Sequence, residues 1–403
     1  MMRLVLATAA ALVFLACTPS DSQGQAGAPV EQGPPHGGFA PAFAEQTRAP
    51  ERRSEMEIAT RRLASDLEHP WAVALLPDGR MLVTERVGRL RLVTAEGAVS
   101  PPILGLPDVD ARGQGGLLDV TVGPTYNSDR LVYWSYSEDR GVLGNGTSVA
   151  RGRLSEDGAR IEAVEVIFRQ HPSWRSTGHF GSRLVFDRAG RLFVTLGDRQ
   201  GDISRRLVQD ADTHIGKVVR INPDGSVPED NPFIGRRDAR PEIWSIGHRN
   251  IQGAAIHPET GALWTVEHGA RGGDELNAPR AGLNYGWPII SYGTEYGGDP
   301  IGEGIAVREG MEQPIYYWDP VIAPGGMTFY TGALFPWRGD ILIAGLRTRA
   351  LVRLELDGER VIGEERFELG VGRIRDVVEA SDGALLIVTD ENNGGLYRLT
   401  PRR

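Results

Sequence analysis

The run from Glu242 to Trp287 reads EIWSIGHRNIQGAAIHPETGALWTVEHGARGGDELNAPRAGLNYGW. Its centre decides the fold. Pro258-Glu259-Thr260-Gly261 has the residues of a tight turn, and ALWTVEHG (262–269) follows with the alternation of a strand. Two strand-like segments of this run end in dense polar clusters. One is Gly247-His248-Arg249-Asn250, followed by Gln252; the other is Glu267-His268-Gly269-Ala270, followed by Asp274 and Glu275. Glycines set among such groups let backbone come close to a ligand.

The same turn-then-strand pattern recurs along the chain. Pro77-Asp78-Gly79-Arg80 leads into MLVTERVGRLRLV, Asn127-Ser128-Asp129-Arg130 into LVYWSYSE, and Asp187-Arg188-Ala189-Gly190-Arg191 into LFVTLGD. Arg338-Gly339-Asp340 leads into ILIAGLRTRALVRLEL, and Ser381-Asp382-Gly383 into ALLIVTDENNGGLYRL. With the central run this makes six units. Each is an antiparallel sheet that cannot bury both faces alone, and stacking such units around an axis solves that problem. The expected fold is all-β: a six-bladed β-propeller of four-stranded antiparallel blades over 56–403, with decorated loops on one face. A β-sandwich array is the alternative.

Composition agrees. Glycine is abundant, at 52 of 403 residues, which favours tight turns over long helices. The net charge of -9 and the absence of a basic block argue against a nucleic-acid partner. Met1-Met2-Arg3, an apolar run from Leu4 to Ala16 and the chain's single cysteine, Cys17, read as a secretory leader. A cysteine there is like a bacterial lipoprotein processing site, and simple cleavage is the alternative. Both place the mature protein outside the cytoplasm, in the periplasm or held to the outer membrane by a lipid on residue 17. That lipid is the one membrane contact expected. Residues 18–55, rich in Gly, Pro, Gln, Ser and Ala, read as a disordered tether.

In a propeller, a site on the loop face draws residues from several blades. Gln114 and His179 precede strands, and Asp198 follows one. Arg249 and Asn250 belong to the central run, Arg347 sits in Leu346-Arg347-Thr348-Arg349, and Arg373 and Arg375 alternate before Asp376. Each alone has a structural explanation. Together, one His, one Gln and several Arg at equivalent blade ends suit a polyanionic small molecule, because Arg forks bind carboxylates in pairs. Asp274, Glu275 and the carbonyls of a Gly-rich turn suit a hard cation such as calcium. No dinucleotide fingerprint, Walker motif, GxSxG elbow or HExxH motif occurs.

The runs GQGGLLDVTVGP, HFGSRLVFD with RLFVTLGD, THIGKVVRINPDGSVPEDNPF, EIWSIGHRNIQG, GGDELN, GLNYGWP and GRIRDVV carry a resemblance from about Leu67 to Arg398. The chain resembles the soluble quinoprotein glucose/sorbosone dehydrogenases, and among them the periplasmic aldose sugar dehydrogenases. The resemblance implies a six-bladed propeller that binds pyrroloquinoline quinone (PQQ) and Ca2+, oxidises aldoses to lactones and passes electrons to an external acceptor. It implies His179 as general base, with Arg249 and Asn250 beside the quinone carbonyl and metal. Arg373, Arg375 and Arg347 fall at cofactor contacts, Gln114 at a cofactor and substrate position, and Asp198 at a substrate position. Gly269 and Ala270 match the carbonyls of the catalytic calcium site, and Glu275 and Tyr285 a second calcium site. His248 and His268 are expected as supports.

The chain departs from the family pattern at Gly178, where some relatives have Asp, at Arg347, often Lys, and around Trp318-Asp319-Pro320. The residues alone leave two other classes open: a calcium-dependent lactonase using acids in the central channel, and a binding propeller without catalysis.

Overall fold

The computed structural model describes residues 27–402. The leader and Cys17 lie outside the described residues. Six antiparallel sheets form a six-bladed β-propeller. The innermost strands are Pro70–Leu75, Leu117–Val122, Gly181–Phe186, Ile251–Ile256, Pro324–Phe329 and Ile374–Glu379. They stand side by side in that order, and the last packs on the first, so the ring is closed. The N-terminal strand Ile58–Leu67 pairs with the C-terminal strand Gly394–Pro401 as the outer edge of the last blade. Joining both ends of the chain in one sheet gives the ring a closure that cannot slip without breaking that ladder.

Five blades have the expected four strands. The first, built on Pro70–Leu75, Met81–Glu85 and Arg89–Val93, has three. Its edge is covered by residues 99–104, where the Ser100 and Ile103 N–H groups donate to the Leu92 and Leu90 carbonyls at 2.8 Å each. Pro101 and Pro102 have no N–H to give, which interrupts the ladder at this position.

The core lies between blades. Trp134, Trp264 and Trp318 are fully buried in it. The axis is plugged by charge rather than by oil. Arg183 pairs with Asp119 at 2.9 Å and with Asp376 at 3.2 Å, and its guanidinium lies over the Trp71 ring. All three ionic groups are buried. The acids of the channel are therefore committed to an arginine, not grouped as a metal cage.

The segment 27–55, expected to be part of a disordered tether, is instead packed on the propeller. Gln46 and Ala49 are buried. Gln46 donates to the Pro314 carbonyl at 3.0 Å, Thr47 to that of Tyr317 at 2.8 Å, and Glu51 bridges to Glu364. Local composition gave no apolar period because the segment is held by single contacts to remote residues.

Candidate active site

In an antiparallel pair, the start of the innermost strand lies beside the end of the second strand. Gln114, His179, Arg249, Asn250 and Arg373 precede innermost strands, whereas Asp198, Gly269, Ala270 and Arg347 follow second strands. Both sets thus converge on one face of the ring. All six innermost strands carry a bulge or register shift against their neighbours. Bulges bend strands and re-aim side chains, and they gather near active sites.

His179 stands at φ +47°, is 5% exposed, and its Nδ1–H donates to Asp198 Oδ1 at 2.6 Å. Nε2 has no protein partner among the described residues. Burial and then the Arg249 charge hold the imidazole below its ordinary pKa, against the raising effect of Asp198. The ring is therefore neutral near pH 7, with Nε2 as its lone-pair nitrogen. Its backbone N–H donates to Gln114 Oε1 at 2.8 Å, so Gln114 braces the histidine loop.

Asp198, expected at the substrate, is 1% exposed and fully used. Oδ1 takes His179 and the Gln200 N–H, and Oδ2 takes Trp287 Nε1–H at 2.9 Å. It sits behind the His179 ring and fixes its orientation. Burial pushes its carboxyl up, but the His179 hydrogen bond and the His179 and Arg249 charges hold it below the usual range. Gly197 keeps this junction tight: a Cβ there would stand 2.1 Å from the His179 carbonyl oxygen. At Gly178, the Gln200 amide occupies the space of a Cβ, at 1.9 Å.

Arg249 joins this group to the next. Its N–H donates to Glu267 Oε2 at 2.6 Å and Nη1 donates to the His268 carbonyl at 3.0 Å. Its guanidinium lies 5.2 Å from the Trp287 ring, and its Nε is buried without a partner. Asn250 Oδ1 accepts from Gly181 N–H and Gln252 Nε2, both at 3.2 Å. Arg375, at the bulge of its strand, donates to Gln252 Oε1 at 3.1 Å and pairs with Asp390 at 2.8 Å, leaving its buried Nε unpartnered.

Arg347, Arg373, Gly269 and Ala270 line a cleft of about 390 Å³ together with Arg271 and Arg349. None of these four arginines is ion-paired among the described residues. A cavity of about 640 Å³ elsewhere touches the turns at 77–79 and 380–382; no candidate site residue lines it.

Gly269 N–H donates to Asp274 Oδ1 at 2.8 Å and Ala323 N–H to Asp274 Oδ2 at 2.7 Å, so Asp274 shapes the loop from within. Burial pushes its carboxyl up to about 7 despite those bonds. Glu275 and Tyr285 line an internal void of about 10 Å³, the scale of one small sphere, next to Arg249 and Gly269. Burial and the neighbouring Glu267 push the Glu275 carboxyl up to about 8. The Tyr285 hydroxyl is spent on the Ala278 carbonyl at 2.6 Å, so that oxygen is not a free ligand. His248 and His268 are supports as expected: His248 spans Ser245 and Glu267, and His268 Nε2–H donates to the Pro324 carbonyl.

These features fit the implied groups. Unpaired arginines and two orphan buried Nε atoms suit a polyanion. The buried Glu275 carboxyl, bonded by the Asn277 amide at 3.1 Å and facing no cationic side chain in its ion-sized void except Arg249, suits a cation. No group of three His, Cys, Asp or Glu side chains that could hold a metal occurs among the described residues, so such a site would draw on main-chain oxygens. The sequence reading missed Trp287, Arg271 and Arg349. The first lies in the insertion 278–315, within the quoted GLNYGWP run, and the arginines flank residues already singled out.

A propeller with a buried histidine–aspartate pair and an arginine-lined cleft on one face has the layout of a small-molecule binding site. Comparison narrows it: the Glucose / Sorbosone dehydrogenase family model matches residues 67–398, and the chain belongs to that family. It is 44% identical over 344 residues to aldose sugar dehydrogenase YliI of Escherichia coli K12, covering 84% of this chain and 92% of that protein. The apo crystal structure of the soluble aldose sugar dehydrogenase from Escherichia coli superposes with a TM-score of 0.82 at 43% identity, covering 86% of this chain and all of that one. A PQQ-bound aldose sugar dehydrogenase from Streptomyces coelicolor gives 0.70 at 28% identity, covering 85% and 99%.

Proposed function

We propose that the protein is a quinoprotein aldose sugar dehydrogenase that oxidises the anomeric hydroxyl of an aldose to the lactone. The observation that carries this reading is the His179–Asp198 pair, with an unbonded Nε2 and with Arg249 near it, on the same face of the ring as the cleft of unpaired arginines. Oxidation of the anomeric carbon removes a proton from oxygen and a hydride from carbon. PQQ, when bound, supplies the electron-poor hydride acceptor that no side chain provides, with Ca2+ as its Lewis acid.

The chain's own residues do the rest. Neutral His179 accepts the hydroxyl proton at Nε2, and Asp198 holds the ring in that tautomer. Arg249 places fixed positive charge where negative charge develops. Arg347 and Arg373 would hold the cofactor's carboxylates, with Arg375, paired to Asp390, adding charge behind them. Gly269 and Ala270 would offer main-chain oxygens to calcium, and Glu275 would neutralise a second cation in its void. Gln114 fixes the approach to the base.

The deciding experiment reconstitutes the apoprotein with PQQ and Ca2+ and follows dye reduction with a panel of aldoses. Lactone formation with at least one aldose is expected; no activity with any sugar and no retained PQQ absorbance would overturn the reading. The artificial dye stands in for the external electron acceptor.

The leader supports export, with Cys17 carrying a lipid that anchors the enzyme at the outer membrane. Mass spectrometry of the mature N-terminus tests this. A chain that begins elsewhere than a diacylated Cys17 removes the anchor.

A further inference from the structure

We infer that the N-terminal strap 27–55 is a wall of the ligand site, and that its His36 is a positioning residue for the anionic ligand of the arginine-lined cleft. This rests on the reading of that ligand as PQQ.

His36 lines the same cleft as Arg347, Arg373, Gly269 and Ala270. It is held there by Asp319, which is 3% exposed. The His36 N–H donates to Asp319 Oδ1 at 2.8 Å and Oδ2 at 2.9 Å, and the Gly37 N–H to Oδ2 at 2.8 Å. The ring Nδ1 lies 3.4 Å from Oδ1. Arg48 Nη2 then clamps the turn, donating to the Gly33 and Asp319 carbonyls at 2.8 Å each.

Further along, Phe39 packs edge-on against Tyr292, which stacks on Tyr317 at 3.8 Å. Asp319 also abuts the calcium-type loop. A Cβ at Gly272 would stand 2.6 Å from its Oδ1, so only glycine there admits the carboxylate. One buried acid thus ties together the strap and the Gly269–Gly273 turn.

The chemistry follows from these bonds. Two backbone N–H groups and the His36 ring meet the Asp319 charge, so it does not face an anionic ligand bare. Nε2 has no partner among the described residues; when it carries a proton it can donate to a ligand carboxylate, a contact that the tautomer protonated at Nδ1 alone does not make. The imidazole adds a short, oriented contact to a cleft otherwise served by long, flexible arginines, which pins the ligand's register.

The test uses the full chain as apoprotein, titrated with PQQ at fixed Ca2+ and followed by quenching of tryptophan fluorescence. Loss of one hydrogen bond to a charged group predicts an affinity loss of roughly 10-fold or more for His36→Ala. His36→Gln should restore part of it, which a merely structural role would not produce. Asp319→Asn should weaken PQQ binding in the same direction and speed limited proteolysis within 33–40, and PQQ should slow that cleavage in the unaltered protein. Equal PQQ affinity for the unaltered protein and His36→Ala, with cleavage indifferent to PQQ, overturns the inference alone. No PQQ binding by the unaltered protein overturns the proposed function and this inference with it.

Discussion

His179 Nδ1 lies 2.6 Å from Asp198 Oδ1, and the other oxygen of Asp198 is held by the Trp287 indole N–H. The histidine, its carboxylate partner and an aromatic residue from a remote insertion thus form one hydrogen-bonded unit. A neutral imidazole fixed in this way has one nitrogen to offer and one tautomer in which to offer it.

His179→Ala should lower kcat by roughly 10²- to 10⁴-fold, the usual worth of a positioned base. PQQ affinity, measured by titration, should stay within a few-fold. Full turnover in this variant would remove His179 as the base.

Asp198→Asn keeps shape but loses the carboxylate that fixes the tautomer. The expected loss is in kcat, by roughly 10²-fold or more, with little change in KM. A rise in KM alone would return Asp198 to the substrate. The pH profile gives a second readout. Because the folded-state pKa of His179 lies below its ordinary 6.5, the neutral base persists below that pH. Hence kcat/KM should stay level as pH falls through 6.5 and decline only further down.

Arg249→Ala removes the positive charge that the proposed mechanism sets against the developing negative charge. Loss of one such donor costs about 10²- to 10³-fold in kcat. Cofactor affinity should fall less than the rate; the reverse outcome would make Arg249 a cofactor anchor.

Calcium should raise the melting temperature of the apoprotein by a few degrees at ligand excess, since binding to the native state alone stabilises it by about 2.7 kcal/mol at a hundredfold excess over Kd. Glu275→Gln should lose part of that rise. An identical calcium response in this variant would leave the small void without a cation.

Arg183→Met tests the axial plug. It strands Asp119 and Asp376 as buried carboxylates, and breaking a buried pair costs about 3–5 kcal/mol. Urea denaturation should show a loss of that order. A change below about 1 kcal/mol would mean that the axis relaxes to solvate the acids.

Sequence alone determined the propeller, because turn chemistry and two-residue alternation are local and repeat six times. It also marked His179, Arg249, Asn250, Arg347, Arg373 and Arg375 as polar residues at strand ends, where an antiparallel blade must put them on one face. Pro101-Pro102 shows the limit of that counting, since two missing N–H groups turned a fourth strand into an irregular edge. The tertiary structure decided what depends on remote partners. Asp198 moved from substrate contact to orienting acid because its oxygens meet His179 and Trp287, the latter 89 positions away. His36 joined the site because Asp319, 283 positions along, holds it there. Local patterns set which way a side chain faces on its strand; only the closed ring sets which side chains, far apart in the chain, share a hydrogen bond.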